Sequence, residues 1–178
     1  MRFTHPDGTV VHLGYCTNVH PAEDLDGIIA QLDTFADYFD GLLGWEPFRA
    51  SQFGIRHHCT IALNPKEAND PRCFDVLDLL PRYLAKDGVV AVGEIGFDSM
   101  TAEEDRAFAT QLELAIRHDL PALVHTPHRD KARGTARTLA LVAESGIDPG
   151  RVVIDHLNEG IIVQSSEGTI LVGVAELK

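Results

Sequence analysis

The sequence has few cysteines, no long apolar run and no apolar leader. Cys16, Cys59 and Cys73 are widely spaced and form no C-x-x-C pair, so they indicate neither a disulfide framework nor a zinc knuckle. No apolar stretch approaches the roughly 20 residues of a membrane span, and the N-terminus lacks the apolar segment of a secretory signal. We therefore expect a reduced cytoplasmic protein whose cysteines are small core residues.

Positive charge is also scarce, with 15 lysines and arginines against 27 acidic residues and a net charge of −12. This balance argues against nucleic-acid binding through a generally basic surface. A metal-assisted phosphodiesterase remains compatible with it, because bound cations can invert the local charge. The sequence contains no G-x-G-x-x-G, no P-loop and no G-x-S-x-G, so these dinucleotide, nucleotide and nucleophile motifs are absent.

What is present is a regular alternation of strand and helix patterns. Alternation of this kind is typical of βαβ units around a parallel sheet, and it predicts an α/β fold with about six parallel strands in a single domain. The 178 residues suffice for one sizeable core, but a complete (β/α)8 barrel usually needs about 250, so a barrel here would be partial. The strand candidates span residues 10–19, 55–63, 89–97, 122–126, 152–156 and 169–174.

Several local patterns make more specific predictions. Apolar residues recur at helical spacing over residues 21–43, and residues 158–166 are also predicted to be helical. Thr101 and Glu104 form the pattern of a capping box at the start of another helix. Pro81 is expected to kink or interrupt the helix that precedes the strand at residues 89–97.

Polar side chains follow three successive strands at the point where each strand ends. Glu94, His125 and His156 are separated by 31 residues each, about one βα unit. Because ligands gather at the carboxyl ends of parallel strands, the three side chains are expected in one pocket. Glu and His suit Zn²⁺, Mn²⁺ or similar divalent ions, and such an ion can activate a bound water. The alternative is that each is an isolated polar residue ending an apolar strand.

Further polar residues near these strand ends are weaker candidates. His128 and Arg129 are predicted to contact substrate, and Lys131 is a second candidate for an anionic group, although all three also suit a solvated loop and helix start. Asp155 is a candidate for orienting His156, but neighbouring residues on a strand face opposite sides. Asp98 lies past the strand end, where it would help to shape the pocket.

The remaining histidines that we considered are assigned no ligand role. His57 and His58 lie early in their strand, away from its carboxyl end, and are expected to be structural. His12 and His20 flank an N-terminal strand without forming a His-x-His pair, so we do not assign them to a metal.

The run from Gly93 to Asp98, G-E-I-G-F-D, resembles the G-E-I-G-L-D signature of TatD-type metal-dependent hydrolases. The Q-L-E-L-A run at 111–115, the L-P-A-L-V-H-T run at 120–126 and the V-V-I-D-H run at 152–156 resemble further motifs of that family, in its order. Residues 35–159 are also similar to a TatD-related branch from bacterial metabolite-traffic gene clusters. Residues 64–70 and 125–131 mark this second similarity.

The resemblance implies an amidohydrolase-like TIM barrel over residues 35–178, with one or two divalent ions (Zn, Mn or Mg). Glu94, His125 and His156 would then be metal ligands and catalytic residues. The family's first strand carries a His-x-His pair that is absent here, and its late aspartate would lie beyond Lys178. Residues 1–34 form an atypical βα segment, and residues 1–33 resemble the start of a sugar-isomerase-like family from the same clusters, through the run from Tyr15 to Pro21.

Two functions follow as expectations. The first is a metal-dependent hydrolase that acts on an ester, amide or phosphodiester, incomplete and of low turnover as an isolated chain. The second is a non-catalytic remnant that binds a metabolite or a partner, because the open edges of a partial barrel favour self-association or pairing with another subunit. A third, isomerase-like role rests on residues 1–33 alone.

Overall fold

The fold was analysed in a computed structural model that describes residues 2–4, 10–12, 39–156, 163–165 and 168–170. The chain divides into two compact units, Met1–Gln31 and Leu32–Lys178. In the first unit, β1 (Arg2–Thr4) pairs in antiparallel fashion with β2 (Val10–His12). The run from Tyr15 to Pro21, His20 and most of the helix predicted over residues 21–43 lie outside the described residues.

The second unit contains a four-stranded parallel sheet, in the order β3-β4-β5-β6. The predicted alternation is confirmed here, because a helix connects each pair of neighbouring strands. The strands are β3 (Cys59–Ile61), β4 (Val89–Gly96), β5 (Ala122–His125) and β6 (Val152–Asp155). A π-helical segment (Gly41–Trp45) and α1 (Glu46–Ser51) precede the sheet, and the connecting helices are α2 (Cys73–Leu84), α3 (Ala102–Arg117) and α4 (Lys131–Ser145). Short 3₁₀ turns occur at Pro65–Glu67 and Pro149–Arg151.

The prediction of about six parallel strands is wrong in its count, since the described part of the chain has four. The first and last candidates instead form antiparallel pairs, β1 with β2 and β7 (Val163–Ser165) with β8 (Gly168–Ile170). Only two residues separate β7 from β8, and parallel strands need a connection of a dozen or more. The predicted helix over 158–166 is wrong at 163–165, which are a strand.

The core lies between the sheet and its helices. Most of β4 is buried on both faces, as its apolar run predicts, although Val90 near its start is 45% exposed. Phe108, Leu112 and Ala115 form the buried stripe of α3. Cys59 and Cys73 are free and buried, as expected for small core residues, and burial raises the pKa of Cys59 to about 11.

Two features of the helices bear on the local predictions. The helix α2 continues through Pro81 and is not interrupted there, although proline has no N–H to donate to the carbonyl oxygen four residues earlier. Gln111 joins α3 to the end of β3, since its Oε1 accepts from the Leu63 N–H at 2.7 Å and its Nε2 donates to the Leu63 carbonyl at 3.1 Å. Across the described ranges, no helix has the length and apolarity needed to cross a membrane.

Candidate metal centre

The parallel register brings the carboxyl ends of β4, β5 and β6 to one edge of the sheet. His125, the last residue of β5, is paired with Gly96 on one side and with Asp155 on the other. Glu94 lies at the register shift between Gly93 and Ile95, as an extra residue in β4. His156 follows β6 directly. The structure therefore places all three predicted metal-site residues at the same edge.

The side chains of these residues converge. The distance from His125 Nδ1 to Glu94 Oε1 is 3.5 Å, and that from His156 Nε2 to the same oxygen is 3.8 Å. The ring centroids of the two histidines are 4.9 Å apart. One ligand atom from each of the three residues lies within 4.8 Å of the others. This spacing is compatible with a shared ion.

The donor set fits a divalent metal on three grounds. Neither ring nitrogen of His125 has a hydrogen-bond partner among the described residues, although the side chain is only 8% exposed. An unpaired buried polar atom costs about 1–3 kcal/mol, and a bound cation would relieve that cost at one nitrogen. Two ligand atoms held about 2.1 Å from a tetrahedral ion lie roughly 3.4 Å apart, close to the shortest distance observed here. Nitrogen and oxygen donors of this kind suit Zn²⁺ or Mn²⁺.

Two glycines allow β4 and β5 to approach closely enough for this geometry. Gly96 has a φ of +125°, and a Cβ there would collide with the carbonyl oxygen of His125. A Cβ on Gly93 would lie 2.5 Å from the Leu123 Cβ. The glycines on either side of Glu94 thus have a physical role, which is to place Glu94 beside His125.

The prediction that Asp155 and His156 face opposite sides is wrong. His156 has a φ of +60°, in the left-handed region, so the alternation of a regular strand does not extend to it. Asp155 Oδ1 accepts a hydrogen bond from the His156 N–H at 2.7 Å, and Asp155 Oδ2 lies 3.8 Å from His156 Nε2. Asp155 therefore lies next to the ligand cluster and contacts the residue that it was considered to orient.

The loop after β4 is held by a fully buried carboxylate. Glu104 accepts hydrogen bonds from the backbone N–H groups of Asp98, Ser99 and Met100 at 3.0, 3.0 and 2.8 Å, and from Asn69 Nδ2 at 3.2 Å. Thr101 caps α3 by accepting from the Glu104 N–H, which confirms half of the predicted capping box. The other half is wrong, because the Glu104 side chain holds the preceding loop. Asp98 shapes this loop through its backbone rather than joining the ligand cluster.

His128 lies beside the cluster, and its contact with substrate stays a prediction. Its ring centroid is 5.5 Å from that of His125 and 5.8 Å from that of His156. Loss of solvation lowers the pKa of His128, and the positive charges of Lys131 and Lys66 lower it further. Lys66, which sequence reasoning missed, thus belongs to the surroundings of the centre.

The other candidates are placed differently. Arg129 is exposed in the loop after β5, and its role in substrate binding stays a prediction. Lys131 donates hydrogen bonds to the carbonyl and the hydroxyl oxygens of Thr126, both at 3.2 Å. His57 and His58 precede β3, at the amino end of the sheet and away from the ligand cluster, and His12 lies in β2 of the first unit.

Comparisons with known proteins identify the family of the chain. A sequence model of the family described as TatD related DNase matches residues 46–165. A metal-dependent hydrolase of Methanocaldococcus jannaschii, described as uncharacterized, is 30% identical over 128 residues, which cover 71% of this chain and 50% of the relative.

A solved structure has a similar fold. The crystal structure of a TatD-like protein from Archaeoglobus fulgidus is 34% identical, with a TM-score of 0.63, over 71% of this chain and 52% of that one. The chain thus spans about half the length of either relative. The predicted fold class, α/β with a partial TIM-like barrel, is confirmed, with four parallel strands in the described residues. The family model matches well over half of the sequence, and the chain belongs to the TatD family of metal-dependent hydrolases.

Proposed function

We propose that Glu94, His125 and His156 form the metal centre of a hydrolase that acts on phosphodiesters. The observation that carries this proposal is the convergence of the three ligand atoms around His125, whose buried ring nitrogens have no hydrogen-bond partner among the described residues. The family of the chain supports a divalent metal as the cofactor.

The protein's own groups would divide the work as follows. Glu94, His125 and His156 would hold the cation, which supplies a Lewis acid and a bound water of lowered pKa. Asp155 Oδ1 accepts a hydrogen bond from the His156 N–H and so holds His156 in place. Asp155 Oδ2 lies 3.8 Å from His156 Nε2. His128, which is exposed beside the cluster, would contact the substrate, with Arg129 next to it in the same loop.

The choice of a phosphodiester over an ester or an amide rests on local charge. Loss of solvation is the main cause of the lowered pKa of His128, and Lys131 and Lys66 contribute to it, so two lysines lie near the centre of a chain whose net charge is −12. Positive side chains near a site attract anionic substrates. The description of the matching family names a DNase, and a DNase hydrolyses phosphodiester bonds, which supports the same choice.

The experiment compares hydrolysis of bis(p-nitrophenyl) phosphate with that of p-nitrophenyl acetate, with added Zn²⁺, Mn²⁺ or Mg²⁺. We expect slow, metal-dependent hydrolysis of the phosphodiester that is lost in His125→Ala. Lys66→Gln should raise KM severalfold, whereas Lys86→Gln, which removes an exposed lysine paired with Asp40, should not. A larger metal-dependent acceleration over the uncatalysed reaction for the acetate than for the phosphodiester, or phosphodiester hydrolysis that survives His125→Ala, would overturn the proposal.

A second candidate is a non-catalytic chain that binds a partner or associates with itself. The observation in its favour is apolar exposure on the parallel sheet, where Val153 of β6 is 58% exposed and Val90 of β4 is 45% exposed. Light scattering after gel filtration distinguishes the two candidates, since association should weaken in Val153→Thr. A monomer at high concentration, together with metal-dependent hydrolysis, would exclude this second candidate.

A further inference from the structure

The hydroxyl of Thr126 joins the two strands that carry the histidines of the metal centre. Thr126 follows His125 directly and is fully buried. Its Oγ1 lies 3.0 Å from the carbonyl oxygen of Asp155 and 3.1 Å from that of His156. The side chain that follows β5 therefore contacts the carbonyl oxygens of two successive residues, Asp155 and His156.

Lys131 fixes the direction of this hydroxyl. Its ammonium group has three donors and no acceptor, so the contact of 3.2 Å between Lys131 Nζ and Thr126 Oγ1 requires the threonine oxygen to accept. The hydroxyl proton is then available only for the carbonyl oxygens of Asp155 and His156. Because the hydrogen bond from Lys131 is charge-assisted, it also strengthens the arrangement.

The backbone of His156 needs such support. Its φ of +60° places a residue with a Cβ in the left-handed region, which costs about 1–2 kcal/mol relative to the usual conformations. The His156 N–H donates to Asp155 Oδ1, and the carbonyl oxygens of His156 and Asp155 share the single proton of the Thr126 hydroxyl. These contacts keep the conformation that turns the imidazole ring toward His125 and Glu94.

We propose that Thr126 is a positioning residue for His156, holding the Asp155–His156 turn so that the imidazole meets the other two ligands. This inference rests on the proposed function, because it takes His156 to be a metal ligand. It assigns a role in the metal centre to a hydroxyl that does not itself bind the ion. Partners that orient metal ligands commonly change metal affinity by about 10- to 100-fold when they are removed.

The test measures the Zn²⁺ affinity of the full chain by competition with a chromophoric chelator at fixed pH. Thr126→Val keeps the shape and removes the hydroxyl, and we expect affinity to fall about tenfold. Thr126→Ser restores the hydroxyl and should recover the affinity. Thr135→Val is the matched control, since Thr135 on α4 is also buried and its hydroxyl has no partner among the described residues.

A second pair of variants covers the case in which Thr126→Val fails to fold. Lys131→Met leaves Thr126 in place but frees its hydroxyl, and it should weaken Zn²⁺ binding even though it removes a positive charge near the centre, whereas Arg133→Met on the exposed face of α4 should not weaken it. If Thr126→Val and Lys131→Met both bind Zn²⁺ with the affinity of the wild type, this inference is overturned and the proposed function is not. A wild-type chain that binds no Zn²⁺ would overturn the proposed function and this inference with it.

Discussion

At the scale of single residues, Gly96 has the strictest requirement in the site. It combines a positive φ with a backbone approach that leaves no room for a Cβ beside the His125 carbonyl. We expect Gly96→Ala to lower the free energy of unfolding by about 3 kcal/mol, through strain and the displacement of β5. Urea denaturation measures the change.

The control for that substitution is Gly44→Ala in the π-helical segment, where a Cβ would meet nothing within 4 Å. Alanine there should stabilise the chain slightly or leave it unchanged, because it reduces the entropy of the unfolded state. Equal effects of the two substitutions would contradict the role assigned to Gly96.

Asp70 gives a residue-scale prediction with a pH dependence. Both of its carboxylate oxygens accept from the Arg72 guanidinium, at 2.9 and 2.8 Å, and these hydrogen bonds lower the pKa of Asp70 to about 2. A carboxylate whose pKa is lowered by folding stabilises the native state above the pKa of the unfolded chain. That stabilisation is lost as the pH falls toward the folded value.

We therefore expect Asp70→Asn to cost about 1 kcal/mol at pH 7, a small value because the pair is partly exposed. The difference from wild type should shrink as the pH falls from about 4 toward 2. Urea denaturation across this range measures it, with Asp78→Asn on the exposed face of α2 as the control. If the difference in unfolding free energy between Asp70→Asn and the wild type grows as the pH falls, the predicted direction of the pH dependence is wrong.

At the scale of elements, the loop between β4 and α3 depends on one buried carboxylate. Glu104→Gln keeps the size of the side chain but directs an amide NH₂ toward the backbone donors of Asp98, Ser99 and Met100. Buried donors left unpaired should cost about 3 kcal/mol of unfolding free energy.

Glu103→Gln is the matched control for the loop, because Glu103 is exposed and pairs only with Arg106 among the described contacts. Its effect should stay within about 0.5 kcal/mol. Thermal unfolding followed by circular dichroism compares the two variants. A Glu104→Gln protein as stable as Glu103→Gln would mean that the loop does not depend on this carboxylate.

The elements of the parallel sheet were predictable because each has a local signal. Apolar runs marked β4, β5 and β6, and Phe108 and Leu112 marked the buried face of α3. The strand patterns at residues 10–19 and 169–174 gave no information about their partners. Whether a short strand pairs in parallel or antiparallel fashion depends on which segment lies next to it, and this is a tertiary property.

The site was predictable only in part, for a similar reason. Parallel register follows from the alternation of strands and helices, so the shared edge of Glu94, His125 and His156 could be expected. The left-handed backbone of His156 and the hydrogen bonds of Thr126 could not, because they depend on contacts between β5 and β6. The alternation of side chains along a regular strand therefore led to the wrong prediction that Asp155 and His156 face opposite sides.

At the scale of the whole molecule, metal binding should raise stability. An ion that binds only the folded chain, at 100 times its Kd, contributes about 2.7 kcal/mol. For a chain of this size, that corresponds to an increase in Tm of roughly 5–10 °C. Differential scanning calorimetry with and without Zn²⁺ should show this increase in the wild type but not in His156→Ala. An equal increase in both proteins would indicate binding elsewhere.

The most direct measurement is the metal content of the purified chain by elemental analysis, in the wild type and in a Glu94→Ala, His125→Ala double variant. Circular dichroism of both proteins controls for folding. The three-strand centre predicts Zn, Mn or Fe in stoichiometric amount in the wild type and its loss in the variant. An absence of bound metal in a folded wild type, or equal metal in both proteins, would contradict the assignment of Glu94, His125 and His156 as the metal centre.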